Sequence, residues 1–186
     1  TLRVPLGTVC AITPFNSPLN VVAHKIGPAL AAGNAAVLKP SLFTPFSANV
    51  LAQVLLEAGL PAGLLAVLHG GAEVGQWLLE ERELHFFAFT GSTEVGRRIQ
   101  ARMGLRRSQM ELGSIAHVIV DATADIEHAV PRIVNSGFRK AGQVCTSTQV
   151  LLVHRARFDD TVALLRQQLG ALRYGDPAAA DVVIGP

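Results

Sequence analysis

Cysteine is scarce in this sequence, with only Cys10 and Cys145 among 186 residues. Two cysteines over this length cannot form the disulfide framework of a small secreted protein, so we expect a reducing, cytoplasmic compartment. Cys10 lies in an apolar run, which is typical of a small buried side chain. Cys145 lies in a short polar stretch between a predicted helix and a predicted strand. Loops of that kind often carry the side chains that do chemistry.

Excess charge and aromatic residues are also lacking. The formal net charge is only +2, and aromatic residues make up 5% of the chain. The pairs Arg97-Arg98 and Arg106-Arg107 form a modest basic cluster, which we interpret as solvated helix ends. No aromatic stripe accompanies them, so we expect no nucleic-acid partner.

Long apolar runs and paired metal ligands are absent from the sequence as well. No run reaches the roughly 20 residues of a membrane-spanning helix, and residues 1–5 do not resemble a signal peptide. We therefore expect no membrane partner. The six histidines are scattered, without HxH or HExxH spacing. We expect no metal site.

The chain does contain a regular alternation of predicted strands and helices. Hydrophobic residues make up 49% of it, which suits a buried parallel sheet. Repeated strand–helix units predict an α/β fold with right-handed crossovers. The pattern restarts after Gly113, where we place a domain boundary. The two ends look like interrupted segments, so we expect a piece of a longer protein. The predicted strands cover 9–12, 36–38, 65–68, 84–89, 118–120 and 150–153, and the predicted helices cover 18–32, 45–58, 72–77, 93–102, 126–138 and 158–169.

Two predicted turns at strand ends are candidates for binding phosphate or hydroxyl groups. Gly91 and Ser92 lie between a strand and a helix, where backbone N–H groups attract phosphate. Alternatively, this is a tight turn in which Ser92 caps the helix. Lys39 ends a strand at the sheet edge where α/β proteins bind ligands, or it is a solvated loop lysine.

Two further polar residues are candidates for catalysis. Asn16 lies between two prolines, so its amide is held where it could donate to a developing oxyanion. The alternative is a simple Asx turn. Glu111 ends a strand-like run beside an apolar residue, and in a cleft it could act as a general base. The alternative is an exposed carboxylate at a strand end.

Taken together, the order of the motifs is more specific than any one of them. Six motifs follow one another along the chain, in the order Pro-Phe-Asn-Ser-Pro, Ala-Gly-Asn-Ala-Ala-Val-Leu-Lys-Pro-Ser, Gly-Leu-Pro-Ala-Gly, Phe-Thr-Gly-Ser-Thr-Glu-Val-Gly, Glu-Leu-Gly and Gly-Gln-Val-Cys-Thr. This series resembles the NAD(P)-dependent aldehyde dehydrogenase superfamily over nearly the whole chain. The resemblance implies a Rossmann-like open parallel sheet with helices on both faces, followed by the start of a second α/β domain. It further implies a partial NAD(P)-binding domain at 1–113 and a partial catalytic domain at 114–186.

The resemblance also implies roles for individual residues. Cys145 matches the nucleophile that attacks an aldehyde, and oxidation would then leave a thioester. Asn16 matches the oxyanion-stabilising asparagine, and Glu111 matches the base that activates water. Lys39 matches the lysine that bonds the adenine ribose of NAD or NADP. The other positions matched to cofactor binding are Ile12, Thr13, Pro14, Phe15, Ser41, Gly91, Ser92, Val95, Leu112 and Gly113.

This sequence departs from the family pattern at three positions. Leu42 stands where NAD-preferring members often have an acid, so NADP remains open. Phe15 replaces a more usual tryptophan and favours small hydroxy- or semialdehydes. Ser114 replaces a common glycine, which we expect to be tolerated. The later Glu-x-Phe-Gly-Pro motif is absent from this sequence, so we expect the isolated chain to be inactive.

Two other functions remain open. A CoA-acylating relative would pass the acyl group to a thiol, although such relatives often lack the glutamate found at position 111. A non-catalytic fragment would use its sheet edges and apolar faces for assembly alone. For the full-length enzyme we expect a homo-oligomer acting on a small aldehyde.

Overall fold

The computed structural model describes residues 2–185, and the chain divides into two compact units between Gly113 and Ser114. The first unit is an α/β sandwich built on a five-stranded parallel sheet of order β3-β2-β1-β4-β5. Chain order reverses beside β1, and ligands bind in α/β sheets at such a switch point. Its elements are β1 (Thr8–Ile12), α1 (Asn20–Ala31), β2 (Ala35–Lys39), α2 (Pro45–Glu57), β3 (Leu65–Val67), α3 (Ala72–Glu80), β4 (Leu84–Thr90), α4 (Thr93–Arg102) and β5 (Arg107–Glu111).

Helices cover both faces of this sheet, because successive side chains of a strand point to opposite faces. Cys10 packs into a cluster with residues of α3 and α4, including Leu78 and Ile99. Its neighbour Ala11 packs on the other face, with Val22 of α1 and Ala48 of α2. The strands are therefore apolar on both sides, as the sequence composition predicted.

The second unit contains a parallel pair of strands, β6 (His117–Val120) and β7 (Val150–Val153), with two helices, α5 (Ile126–Phe138) and α6 (Phe158–Gly170), that contact each other. Val130, Ile133 and Val134 are the buried residues of α5 and are spaced along one face of that helix. Buried Val120 ends β6. Its elements are β6 (His117–Val120), α5 (Ile126–Phe138), a 3₁₀ turn (Arg139–Gly142), β7 (Val150–Val153), a 3₁₀ turn (Arg155–Arg157) and α6 (Phe158–Gly170).

Element bounds differ from the sequence predictions by a few residues at several ends. The first helix begins at Asn20 rather than at residue 18, because the proline-containing turn continues into residues 18 and 19. The third helix continues to Glu80 rather than stopping at Trp77, because Leu78 and Leu79 are buried in the core. No helix within residues 2–185 is long and apolar enough to cross a membrane.

The interpretation of both arginine pairs as solvated was wrong for Arg106. Its guanidinium donates to the carbonyls of Leu79, Glu81 and Met103, at distances of 2.5 to 2.9 Å. It also lies 4.7 Å from the centre of the Phe87 ring. A longer hydrogen bond of 3.4 Å reaches the carbonyl of Leu84, so Arg106 joins the ends of α3 and α4 to the beginning of β4.

Candidate functional site

The carboxyl ends of the parallel strands bring most of the candidate residues of the first unit to one edge. Ile12 ends β1 and is paired with Lys39, the last residue of β2. The Thr13 N–H donates to the Lys39 carbonyl at 3.1 Å. On the other side of β1, the Gly91 N–H donates to the carbonyl of Glu111 at 3.1 Å. Backbone hydrogen bonds thus join Thr13 to Lys39 and Gly91 to Glu111.

A cleft of about 480 Å³ opens at this edge, against α3 and α4. Ile12, Lys39 and Val95 line it, and the remaining cofactor candidates do not. Most of its lining is apolar, with Arg98 and Arg102 as further cations. Burial lowers the pKa of Lys39, while the negative charge of Glu73 opposes that shift. The cleft can hold a flat apolar group close to an anionic or hydroxyl-bearing one.

Thr13 directly follows β1 at this edge of the sheet. Its side chain is 5% exposed, and its hydroxyl oxygen has no hydrogen-bond partner within residues 2–185. A buried hydroxyl without a partner costs free energy, so it marks a position where a bound polar group would be stabilised.

The turn between β4 and α4 has the geometry expected of a helix start. The Ser92 hydroxyl oxygen accepts from the Val95 N–H at 3.3 Å and caps α4, so the helix-cap interpretation is confirmed. At Gly91, a Cβ atom would lie 2.5 Å from the buried Phe89 ring, so any side chain here would have to displace that ring. The cap leaves other N–H groups of the first turn of α4 for an anion.

Lys25 is a buried cation that interacts electrostatically with Glu111, and the sequence analysis missed it. Lys25 of α1 is 8% exposed, and its ammonium group donates to the Gln109 side-chain oxygen at 2.8 Å. Burial lowers the pKa of Lys25 to about 8, while the carboxylate of half-buried Glu111 acts in the opposite direction. The sequence signal that could have revealed this buried lysine is its place on the apolar face of α1, in line with Val22 and Ile26.

The residues after β1 and β2 form two neighbouring loops. Phe15 is 45% exposed and packs edge-to-face on Phe43, with the ring centres 5.9 Å apart. The Ser41 hydroxyl accepts from the Phe43 N–H at 3.3 Å. Asn16 and Pro14 are half-buried. The asparagine is therefore accessible at the same end of β1.

Leu112 and Gly113 follow β5 and complete this set. Leu112 packs against the core cluster, and a Cβ atom on Gly96 of α4 would lie 2.4 Å from its side chain. Gly113 is exposed. Leu112 therefore acts on the site through packing, whereas Gly113 leaves its backbone accessible.

The two cysteines differ in accessibility, and neither forms a disulfide. Cys10 is fully buried in the sheet, and burial raises the pKa of its thiol to about 12. The interpretation of Cys10 as a structural residue is thereby confirmed. Cys145 is exposed in the second unit, in the loop between α5 and β7. Because the thiolate is the nucleophilic form, only Cys145 has the exposure that nucleophilic chemistry requires.

The loop that carries Cys145 begins with an unusual backbone. Lys140 and Ala141 have φ of 51° and 55°, and Gly142 continues the run with φ of 73°. For residues with a side chain this left-handed conformation is strained, and such strain often occurs at functional sites.

Hydrogen bonds fasten this loop to the end of α5. The buried Ser147 hydroxyl donates to the Gly137 carbonyl at 2.9 Å, and the Ser136 and Thr148 hydroxyls lie 2.9 Å apart. A Cβ atom on Gly142 would lie 3.2 Å from the Gly137 oxygen. The cysteine loop is thus anchored to α5 on the C-terminal side of Cys145, and Gly142 leaves little room for a side chain on the other side.

Comparison with known proteins places this geometry in a family. The model of the aldehyde dehydrogenase family matches residues 1–186, the full length of the sequence. The chain belongs to the aldehyde dehydrogenase family. The α/β fold and the family resemblance predicted from the sequence motifs are therefore confirmed.

Individual aldehyde dehydrogenases match the chain closely over part of their length. The chain is 48% identical to a 3-sulfolactaldehyde dehydrogenase of Priestia megaterium, covering 100% of this chain and 39% of that protein. A Mycobacterium tuberculosis aldehyde dehydrogenase complexed with NAD+ has a TM-score of 0.95 and 41% identity, covering 98% of this chain and 38% of its own. The glyceraldehyde-3-phosphate dehydrogenase GapN of Methanocaldococcus jannaschii, complexed with NADP, has a TM-score of 0.95 and 36% identity, covering 100% of this chain and 42% of its own. The chain therefore spans about two fifths of the length of these relatives.

Proposed function

We propose that this chain supplies the cofactor-binding and nucleophile-bearing part of an oxidoreductase that converts an aldehyde to a carboxylic acid with NAD(P)+. The observation that carries the proposal is the exposed thiol of Cys145, which lies in the Gly-Gln-Val-Cys-Thr motif that resembles the family's nucleophile motif. The other cysteine is buried and protonated at neutral pH. We assign residues 1–113 to a partial cofactor-binding domain and residues 114–186 to a partial catalytic domain.

The residues at the sheet edge fit a dinucleotide. The apolar cleft beside Ile12 and Val95 suits a flat base, and the Lys39 ammonium can donate to ribose hydroxyls. The buried Thr13 hydroxyl offers an unused hydrogen bond, and the glycine at position 91 allows close approach. When bound, NAD or NADP supplies the acceptor for the hydride. The structures of the relatives with NAD+ and with NADP support either cofactor.

The protein's own part in the reaction begins with the thiolate of Cys145. Its sulfur forms a bond to the aldehyde carbon, and the carbonyl oxygen becomes an oxyanion. We assign the Asn16 amide and the Cys145 backbone N–H to stabilise this oxyanion. Once the substrate has been oxidised, the acyl group remains on Cys145 as a thioester.

Hydrolysis of the thioester then needs a base. We assign Glu111 to take a proton from water, which attacks the acyl carbon and releases the acid and the thiol. Glu111 is half-buried at the end of β5, where its carboxylate remains accessible to water, and this position supports the assignment.

The substrate class, compartment and assembly are proposed more broadly. The 3-sulfolactaldehyde dehydrogenase and the Phe15 variant of the motif both favour a small hydroxy- or semialdehyde. We propose a cytoplasmic enzyme that acts as a homo-oligomer in its full-length form, without a metal, nucleic-acid or membrane partner.

A CoA-acylating dehydrogenase is the second candidate, since it would use the same nucleophile. In that case a thiol rather than water would take the acyl group. Such relatives often lack the glutamate that this chain has at position 111, so Glu111 favours hydrolysis. The product, a free acid or an acyl-CoA, separates the two reactions.

The decisive experiment is a rapid-mixing assay of NAD(P)H formation by the full-length protein that carries this sequence. Glu111→Gln should release about one equivalent of NAD(P)H per Cys145 and then stop, because the thioester forms but is not hydrolysed. Cys145→Ala should release none, and Cys10→Ala serves as the matched control with normal turnover. Sustained turnover by Cys145→Ala would refute the proposal.

A further inference from the structure

Ser114 makes a contact that a glycine at the same position could not make. Its hydroxyl donates to the backbone carbonyl oxygen of Cys145 at 2.8 Å. The two residues are 31 positions apart in sequence, and both belong to the second unit. The contact reaches the backbone of the proposed nucleophile itself.

The position of Cys145 in its loop gives this contact a specific effect. The Ser147 N–H donates to the Val144 carbonyl at 2.9 Å, which makes residues 144–147 a β-turn. Cys145 and Thr146 are the two central residues of that turn. The peptide group between Cys145 and Thr146 takes no part in the hydrogen bond that closes the turn. Rotation of this central peptide converts one turn type into another.

A hydrogen bond to the Cys145 carbonyl fixes that central peptide. Because the peptide is planar and trans, holding the Cys145 oxygen toward Ser114 also directs the Thr146 N–H the opposite way. Rotation is already opposed by the β-branched side chain of Thr146, which would have to adopt a positive φ in a flipped turn. The Ser114 bond therefore restricts the motion that remains.

We propose that Ser114 is a positioning residue that holds the Cys145 peptide in the orientation that favours the reactive thiolate. The serine hydroxyl donates to the Cys145 carbonyl oxygen, which carries a partial negative charge. The hydrogen bond keeps this oxygen from turning toward the sulfur. This inference builds on the proposed function, in which Cys145 is the nucleophile. It replaces the expectation that serine at position 114 is merely tolerated.

The test is the rate of alkylation of Cys145 by iodoacetamide between pH 5 and 10, followed by peptide mass spectrometry. At pH 7, Ser114→Ala and Ser114→Gly should react about two- to tenfold more slowly than the parent chain, the range expected for one hydrogen bond. Their pH midpoints should be higher. Ser114→Thr keeps the hydroxyl and should restore the rate to within about twofold.

Ser136→Ala is the matched control. It removes a hydroxyl contact to Thr148 in the same loop but leaves the Cys145 carbonyl bonded. It should alkylate at the parent rate, and urea unfolding would identify any general loss of stability. Equal rates for Ser114→Ala and the parent, failure of Ser114→Thr to restore the rate, or equal slowing by Ser136→Ala would each overturn the inference.

The same data judge the proposed function separately. That proposal requires Cys145 of the parent chain to react faster than glutathione. If it does not, the proposed nucleophile is refuted, while the ratio between the Ser114 variants still decides whether the hydroxyl controls the thiol.

Discussion

Lys25 is a buried cation whose ionisation should be visible in the stability of the protein. Burial lowers its pKa to about 8 in the folded state, against 10.5 when solvated. Between these pH values the unfolded chain binds a proton that the folded chain does not. The free energy of unfolding should therefore rise as the pH increases from about 8 to about 10.5.

Replacing Lys25 should remove this dependence. Lys25→Met should stabilise the protein at pH 7 by on the order of 1–3 kcal/mol, because no ammonium has to be buried. Urea unfolding at several pH values measures the effect. Lys25→Arg, which stays charged throughout, should lose the pH dependence without gaining stability. A parent protein whose stability does not change between pH 8 and 10.5 would contradict this account.

At the same scale, candidate site residues could be named from the sequence, whereas their contacts could not. Asn16, Lys39 and Glu111 are candidates because each lies in a short motif at the end of a predicted strand. The contacts of Lys25 with Gln109 and of Ser114 with Cys145 join residues 84 and 31 positions apart. Such contacts depend on the tertiary fold, and no local pattern encodes them.

Arg106 organises the elements around the beginning of β4. It donates to carbonyls at the ends of α3 and α4, and its guanidinium lies over Phe87 in the core. These carbonyls include groups that no helical N–H can satisfy. Arg106 thus serves as a side-chain cap shared by two helices.

Arg106→Ala should destabilise the first unit by about 2–4 kcal/mol, since several hydrogen bonds and a cation–π contact are lost together. Arg106→Lys should recover little of this, because an ammonium cannot reproduce the planar fork. Arg97→Ala, on the exposed face of α4, is the control and should cost less than about 0.5 kcal/mol. The denaturant midpoint gives the answer, and equal stability of Arg106→Ala and Arg97→Ala would disprove the shared cap.

Elements with local signals were predicted well. The fifth helix has the predicted bounds, 126–138, because the Asp125 side chain caps it, accepting from the His128 N–H at 3.1 Å. The third helix was predicted too short, because the burial of Leu78 and Leu79 extends it. Local sequence therefore determines where these helices begin, while tertiary packing determines where some of them end.

At the scale of the whole molecule, the chain spans about two fifths of the length of the aldehyde dehydrogenases it matches. The Glu-x-Phe-Gly-Pro motif of the family is absent from its sequence. The purified 186-residue chain should therefore produce no sustained NAD(P)H from a panel of small hydroxy- and semialdehydes. Absorbance at the NAD(P)H band measures this, with the full-length protein as the positive control. Steady turnover by the short chain would refute the prediction.

The proposed function requires Cys145, and not Cys10, to be the reactive thiol of this protein. Its most direct test is residue-specific alkylation of the folded chain at pH 8, with and without NAD+ or NADP+. We predict that Cys145 is modified at least about a hundredfold faster than Cys10, because the Cys10 thiol is buried and stays protonated. We further predict that the cofactor changes the Cys145 rate. Comparable rates at the two cysteines, or a Cys145 that reacts no faster than glutathione with or without cofactor, would contradict the account.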